Sequence, residues 1–296
     1  MEDIERIKDH LRNVQSVEPI ISALRTIAAG TWRQARSRLE ATQTYTDDLA
    51  AVLSALLPSM MASRQQLPHV APEGAASLKT ALVVVASDRG LCGSYNDIVF
   101  DRTDAYLAQG NSPLVIALGA RANKHLRARG RVPFLAQPMP LTRVISYRAA
   151  TALSRSLERL LASGTVDAVD LIYTPYHGGM ALRADVVRWL PITPTLLPGA
   201  AEQDQEPIVE GDPARIGLGA LEEWIRVRLY RLLVEATATE HASRYFAMER
   251  ASDNLKELIE ELTQVYHSAR QHAITMEMLD LVAGSGILKP PTERHH

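Results

Sequence analysis

The sequence predicts a mixed chain of α+β (α/β) class. A long antiparallel coiled coil of N- and C-terminal helices is joined to a Rossmann-like α/β domain between them. Three observations predict it. Residues 2–57 and 216–283 are long helical runs at the two ends of a 296-residue chain, and only Gly217 and Gly219 interrupt the second before Gly284. At 1.5 Å per residue they would extend about 80 and about 100 Å, too far to fold inside a small domain, so they are expected to pair as a projecting rod. Between them, apolar runs of strand length alternate with helical segments, the pattern of a mostly parallel sheet.

The first run carries a seam in alternating steps of three and four, the spacing that keeps one side of a helix facing a partner. It passes through Ile4, Ile7, Leu11, Val14, Glu18, Ile21, Arg25, Ala28, Trp32, Ala35, Leu39, Thr42, Thr46, Leu49, Leu53 and Leu56. Twelve of these sixteen are apolar in a chain that is 46% hydrophobic, which favours a coiled coil over an ordinary helical bundle. Pro19 lies inside this run and removes a backbone donor, so a kink or break is expected near Glu18.

In the last run the same steps pass through Leu255, Leu258, Leu262, Val265, Ala269, His272, Met276, Leu279 and Ala283. Nearer its start, Leu218, Leu221, Ile225, Leu229, Leu233 and Ala236 recur mostly every four residues, close to the natural helical period, so little supercoil is expected there. Ala236, Ala238, Ala242, Ser243, Ala247 and Ala251 form a small-residue stretch against which another backbone can come close.

Pro58, Pro68, Pro72 and Gly74 are expected to end the first helix, and a polar stretch from Pro191 to Pro213 to precede the second. The middle opens with Thr80–Ala86, a continuous apolar run suited to a strand covered on both faces. The turn Ser87-Asp88-Arg89-Gly90-Leu91-Cys92-Gly93 and a helix to about Gln109 follow. Pro113–Leu118 reads as a strand, Arg121–Arg129 as a helix and Val132–Ala136 as a third strand. A helix from about Ser146 to Ser163 leads to a strand at Val169–Tyr173. A Gly178-Gly179 turn joins this antiparallel to a last strand near Leu182–Trp189. The expected division is 1–57, 78–198 and 213–285.

A formal charge of −2 and 5% aromatic residues point away from a nucleic-acid partner. No segment approaches the roughly 18 apolar residues needed to cross a bilayer, and no signal-peptide core is present, so a cytoplasmic protein is expected. Cys92 is the single cysteine, which excludes an internal disulfide and a cysteine zinc site. Gly90 and Gly93 do not make a dinucleotide fingerprint, and no phosphate-loop, nucleophile-elbow or HExxH motif occurs. His177 has no evident partner, and no metal site is read from His295 and His296. Catalytic, cofactor-binding and metal residues are therefore all expected to be none, with Cys92 read as a small buried thiol in a tight turn.

The segment Ser87–Gly93 after an apolar strand resembles the SDRGLCG segment of the gamma subunit of F-type ATP synthases. Glu240, Ala242, Arg244, Ala247-Met248, Ala251, Asn254, Leu262, Tyr266, Ala269-Arg270-Gln271, Ile274-Thr275, Glu277, Val282 and Gly284 are similar to the gamma C-terminal signature. Ile20, Ala23, Ile27, Ala28-Ala29 and Arg33 resemble its N-terminal pattern, so the likeness spans the chain. It implies a central rotor shaft that performs no chemistry itself and couples ion flow through the membrane c ring to conformational change at the beta-subunit nucleotide sites. The implied partners are the alpha and beta subunits, the epsilon subunit and the c ring, with membrane association only through the complex, on the cytoplasmic face of a bacterial plasma membrane.

Residue by residue, the resemblance places Arg270, Gln271, Thr275 and Glu277 against the beta subunits, and Arg89 and Cys92 in a surface-accessible loop facing an acidic beta segment. The sequence also departs from the family. Pro19-Ile20-Ile21-Ser22-Ala23-Leu24 stands where the family usually has Lys-Ile-Thr-x-Ala-Met. His267 replaces an asparagine, and Gln205–Glu210 replaces a tyrosine-rich foot. These departures imply a divergent gamma subunit, of an alternative or second ATPase. A single cysteine excludes the two-cysteine redox switch of chloroplast-type gamma subunits. A gamma-derived, non-rotary coiled-coil adaptor and an α/β enzyme with helical arms remain the alternatives.

Overall fold

A computed structural model describes residues 2–62, 69–70, 79–109, 112–178, 182–193 and 209–284. The proposed breakers Pro68, Pro72 and Gly74, the second glycine of the Gly178-Gly179 turn, most of the Pro191–Pro213 stretch with Gln205–Ile208, and His295-His296 lie outside the described residues. Two compact units are present: Thr26–Ala247, and Met1–Arg25 with Met248–His296.

In the larger unit the order is the end of α1 (Glu2–Ala62), β1 (Thr80–Val85), α2 (Tyr95–Leu107), β2 (Leu114–Leu118), α3 (Ala120–Ala128), β3 (Leu135–Gln137), α4 (Tyr147–Ala162), β4 (Ala168–Tyr173), β5 (Asp185–Leu190) and the start of α5 (Pro213–Gly284). The strands form one sheet in the order β3-β2-β1-β4-β5, parallel except for the final antiparallel pair. β1, at the centre, is buried from Ala81 to Val85 because helices cover both its faces. Ala81, Val83, Val85, Leu171 and Tyr173 pack with α4, α5 and the end of α1, whereas Leu82, Val84, Ala117 and Ile172 pack with α2 and α3.

A carboxylate enters the second layer. Asp170 on β4 is buried, accepts from the Tyr106 hydroxyl at 2.8 Å, and takes two hydrogen bonds from Arg188, its cross-strand partner on β5, at 2.6 and 3.2 Å. A buried carboxylate is tolerable only when paired and hydrogen-bonded in this way. Loss of exposure, then the carboxylate itself, pushes the Tyr106 phenol up to about 12.

The β2–α3 junction needs a glycine. Gly119 sits at φ +93°, and a Cβ there would meet the Ala86 carbonyl oxygen at 2.1 Å. Its amide instead donates to the Gln137 carbonyl at 2.8 Å, tying β2 to β3.

From Leu221 to Thr239 nearly every α5 side chain is buried or half-buried, whichever way it points. Here α5 lies between the sheet and α1. Trp189 donates to the Ile225 carbonyl, Arg228 donates to the carbonyls of Trp189 and Arg188, and Tyr173 bonds to Glu235. On the other side the Trp32 ring lies tilted against Tyr245, Gln43 accepts from Arg231, and Met60 covers Gly217. These pairs run in opposite order along the two helices, so α1 and α5 are antiparallel. The α1 seam is the covered line: Ala28, Ala35, Thr42, Leu53 and Leu56 are buried, and Trp32, Leu39, Thr46 and Leu49 half-buried.

In the smaller unit, Ile4, Ile7, Leu11, Val14 and Ile21 are half-buried while most of their neighbours are exposed, so the seam continues. On α5 the covered line is Met248, Ser252, Leu255, Ile259, Leu262, Tyr266, Ala269 and Ala273, in steps of four and three. The expected seam shares Leu255, Leu262 and Ala269 with this line, but its intervening members fall one residue short. Leu258 is 37% exposed, and Val265, His272, Met276, Leu279 and Ala283 are exposed too. Either register is apolar on sequence, and packing selects the one holding Tyr266. Beyond Ala273 every described residue is exposed.

Two expectations about proline are corrected. α1 runs unbroken through Pro19 and Pro58 to Ala62. Both prolines are exposed, as is Gln15, whose carbonyl loses the Pro19 donor. In a helix this long, fixed along its seam by a partner, one missing hydrogen bond does not end the run.

Gly119→Ala should lower unfolding free energy by about 3 kcal/mol or more, through the clash with fixed backbone. Gly130→Ala, also at positive φ but with open space around its Cβ, should lower it by about 1 kcal/mol. Urea unfolding of the two variants checks this, and equal losses would contradict it. Leu262→Ala should lose about 1–2 kcal/mol and Val265→Ala under about 0.5 kcal/mol, read as thermal stability, because only the first faces the partner helix.

Candidate functional site

β1 ends in the turn that carries Arg89 and Cys92. To pass from strand to helix the backbone enters the left-handed region at Leu91 (φ 61°) and Gly93 (φ 55°). For leucine that conformation is strained, and it persists because the turn is held from both sides. From within, the Asn96 amide oxygen accepts from the Ser87 amide at 3.1 Å and its hydroxyl at 3.0 Å, while the Asn96 Nδ2 lies 3.2 Å from the Cys92 Sγ.

From outside, α5 takes hold of the turn's carbonyls. The Arg244 Nη2 donates to the Arg89 carbonyl at 3.0 Å, to the Gly90 carbonyl at 3.4 Å and to the Glu240 carboxylate at 2.7 Å. The Ser243 hydroxyl donates to the Cys92 carbonyl at 2.6 Å. Glu240 and Arg244 are 3% and 4% exposed, one helical turn apart, so the pair is a fully buried ion bridge. Burial pushes the Glu240 carboxyl up despite the guanidinium beside it, and Asp88 pushes it in the same direction. His241, 1% exposed, lies with Nδ1 3.4 Å from the Arg244 Nη1, and its Nε2 has no hydrogen-bond partner. Burial first, then the neighbouring guanidinium, hold this imidazole down at about 3.

The turn therefore has an exposed rim and a buried base. Arg89, Leu91, Gly93 and Ser94 are exposed, Leu91 by 63%. Cys92 is 1% exposed, as a small buried thiol should be, and this corrects the accessible position that the resemblance implied: the side chain points inward to Asn96 and Ser87. Burial pushes its thiol up, against the pull of Arg244, so it stays protonated and is a poor nucleophile.

The usual phosphate position of such a fold, at a helix N-terminus beyond the strand ends, is also taken. The Asp88 carboxylate accepts from the Ala120 amide at 3.0 Å at the start of α3, and Arg121 lies over Gly90. A phosphate there would have to displace a carboxylate already in place.

The other expected contact residues lie in the smaller unit, on the exposed end of α5. Arg270 and Glu277, seven residues apart, share one helix face, whereas Gln271 and Thr275, four apart, share another. All four are exposed, and the Thr275 hydroxyl turns back to the Gln271 carbonyl at 2.9 Å. They do not form one patch. Among them stand exposed Ile274, Met276, Met278, Leu279, Leu281 and Val282, spread around most of the helix circumference.

Sequence reasoning placed Glu240 and Arg244 in a motif but gave them no role. The signal was available: two opposite charges four apart, inside a helical stretch of small and apolar residues, have nowhere to reach water.

The buried histidine gives a sign to acid stability. Its folded value of about 3 lies below the ordinary 6.5, so its neutral form contributes stability above pH 6.5 that is lost as pH falls. Glu240, raised in the fold, acts oppositely, its contribution being largest at low pH and lost as pH rises. His241→Leu should therefore flatten the acid limb between pH 6.5 and 3, by about 2 kcal/mol at pH 5. Denaturant unfolding from pH 7 to pH 4 checks this, and parallel pH profiles for variant and wild type would contradict it.

Comparison with known proteins supplies the family. A family model described as ATP synthase matches residues 3–288. The ATP synthase gamma chain of Synechococcus elongatus is 33% identical over 321 aligned residues, which cover 97% of this chain and 99% of the relative. That of Rippkaea orientalis is also 33% identical, covering 97% and 100%. Among solved structures, a chain of the Euglena gracilis mitochondrial ATP synthase matches with a TM-score of 0.64 at 15% identity, covering 100% of this chain and 99% of that one. A central stalk and c-ring structure from Tetrahymena thermophila matches with a TM-score of 0.56 at 21% identity, covering 79% and 99%. At these identities the structural matches speak for the fold, and the sequence relatives for the family. A family match over residues 3–288 and relatives named ATP synthase gamma chain, 33% identical over nearly the whole of both chains, lead to one conclusion: this chain belongs to the ATP synthase gamma-chain family, as the gamma subunit of an F-type ATP synthase.

Proposed function

We propose that this gamma subunit is the central rotor shaft of its complex and performs no chemistry itself. It would couple ion movement through a membrane c ring to the conformation of beta-subunit nucleotide sites. The observation that carries this reading is the end of α5. A helix with large apolar side chains exposed around most of its circumference, over residues 274–282, suits enclosure by a surrounding sleeve better than docking on one flat surface. An alpha–beta hexamer is such a sleeve, and apolar contact without fixed directional bonds lets the enclosed helix turn.

Arg270, Gln271, Thr275 and Glu277 are the groups we assign to gripping the beta subunits, with Arg89 at the turn. Arg270 can offer a two-pronged contact to a carboxylate. Because the Cys92 side chain is buried, we assign contact at that position to the exposed rim, Arg89 and Leu91, with Cys92 supporting it from beneath. Residues 1–57 and 213–285 would serve as the shaft and 78–198 as its foot, in contact with an epsilon subunit and the c ring. No helix among the described residues is long and apolar enough to cross a membrane, so attachment through partners, on the cytoplasmic face of a bacterial plasma membrane, is the reading we adopt. Differential contact with three beta subunits would then stabilise a different state in each.

Affinity capture of this subunit from cells expressing its alpha and beta chains, followed by native mass measurement, should give one copy per three alpha and three beta chains. Recovery without either would overturn the rotor reading, and a variable ratio would favour an adaptor. Arg270→Ala should leave thermal stability within about 0.5 kcal/mol of wild type, as for exposed positions generally, while lowering ATP-driven ion pumping by membrane vesicles. An equal loss of stability and pumping would contradict its assignment to grip.

A further inference from the structure

The buried bridge on α5 reaches further than its own helix. Three carbonyls of the turn after β1, those of Arg89, Gly90 and Cys92, are bound by two adjacent residues of α5, Arg244 and Ser243. The same turn exposes Arg89 and Leu91 on its opposite side. Any partner touching that rim is thus joined to α5 through three direct hydrogen bonds. We propose that Arg244, held in place by Glu240, is a positioning residue that locks the rim of the turn to α5, so that force applied at one is delivered at the other without slip. The inference rests on the rotor reading above.

The geometry favours this over a purely structural bridge. A buried ion pair kept only for stability could be replaced by apolar groups of similar volume at little loss, often with a gain. Here the guanidinium divides its donors between a carboxylate on its own helix and backbone carbonyls of another segment, which apolar residues cannot reproduce. Glu240 sets the rotamer and neutralises the charge, and Arg244 carries the connection. The strained backbone at Leu91 gives the connection something to hold, because a turn with Leu91 at φ 61° relaxes when its carbonyls are released. The turn also closes on itself, through a bond from the Tyr95 amide to the Cys92 carbonyl at 3.2 Å.

Cys92 offers a direct readout of the turn. It is the chain's single cysteine, is 1% exposed, and lies under the clamped carbonyls. The test uses wild type, the double variant Glu240→Met/Arg244→Met, which removes both charges together, and Arg244→Lys, which keeps the charge but offers no fork. Each full-length chain is assayed for thermal stability and for the rate of Cys92 reaction with a thiol reagent. Each is then assembled into the ATPase in membrane vesicles, where the ratio of ions pumped to ATP hydrolysed is measured.

We expect the double variant to melt close to wild type while Cys92 reacts about tenfold faster, as release of a local structure by one broken contact network predicts. The pumping ratio should fall about fivefold, the low end of a typical coupling effect, with hydrolysis retained. Arg244→Lys should fall between the two. Wild-type pumping ratio and thiol reactivity in the double variant would overturn the positioning role and leave the rotor reading intact. If wild-type chain itself fails to support coupled pumping, the rotor reading falls and this proposal with it. Should the double variant fail to fold, Arg244→Lys decides alone, and a pumping ratio equal to wild type in that variant would overturn the proposal.

Discussion

A helix enclosed on every side has no face on which to leave a polar group unpaired, and that constraint organises the larger unit. Between Leu221 and Thr239, α5 has the sheet on one side and α1 on the other. Most of the polar groups it carries there find partners inside the protein, the Arg226 Nε being an exception. Glu235 bonds to Tyr173 of β4 and to Arg231 one turn earlier, Arg231 in turn to Gln43 of α1, and Thr239 to the Pro175 carbonyl. Apart from the Arg231–Glu235 pair within the helix, these bonds tie α5 to β4, to α1 and to the segment after β4, so the enclosed helix is fixed in rotation as well as position. The Arg244–Glu240 bridge is one more case of this rule, made unusual by the backbone it reaches.

The smaller unit obeys a different balance. There α5 has one covered stripe, from Met248 to Ala273, and then none. A two-helix contact buries a single seam and leaves the rest to water, so stability per residue is low and the exposed faces are free for other proteins. The change from a helix buried all round to a helix buried on one line, and then on none, follows the sequence. Leu, Val and Trp dominate at the start, small residues with one ion pair follow, and charged residues with isolated large apolar ones complete it. This gradient separates a part held on all sides within the chain from a part whose side chains stay exposed.

Much of the fold was legible in the residues. β1, β2 and β4 announced themselves as short apolar runs, the sheet direction followed from intervening helices, and the seam of α1 matches the covered line at position after position. The exceptions have identifiable causes. Pro19 and Pro58 read as breakers on local chemistry, but a long helix docked along its seam loses little from one missing bond at an exposed turn. The tip seam of α5 was assigned one residue off at alternate positions because Leu258 and Ile259, or Val265 and Tyr266, are both apolar, and only the partner's surface chooses between them. Cys92, read from its turn as a small buried thiol, is buried, and only the accessible position implied by the resemblance is corrected, because the turn folds the thiol inward to Asn96.

By itself, then, the sequence determined the elements, their order, the parallel sheet with one antiparallel edge, and the family. Each of these depends on periodicity or on motif spacing along a single chain. Tertiary structure alone decided which of two apolar registers faces the partner helix, that the turn has a buried base and an exposed rim, and that Arg244 binds backbone more than 150 residues away. Those facts depend on which surfaces meet. A one-dimensional pattern records that a residue avoids water, and not which other residue keeps the water out.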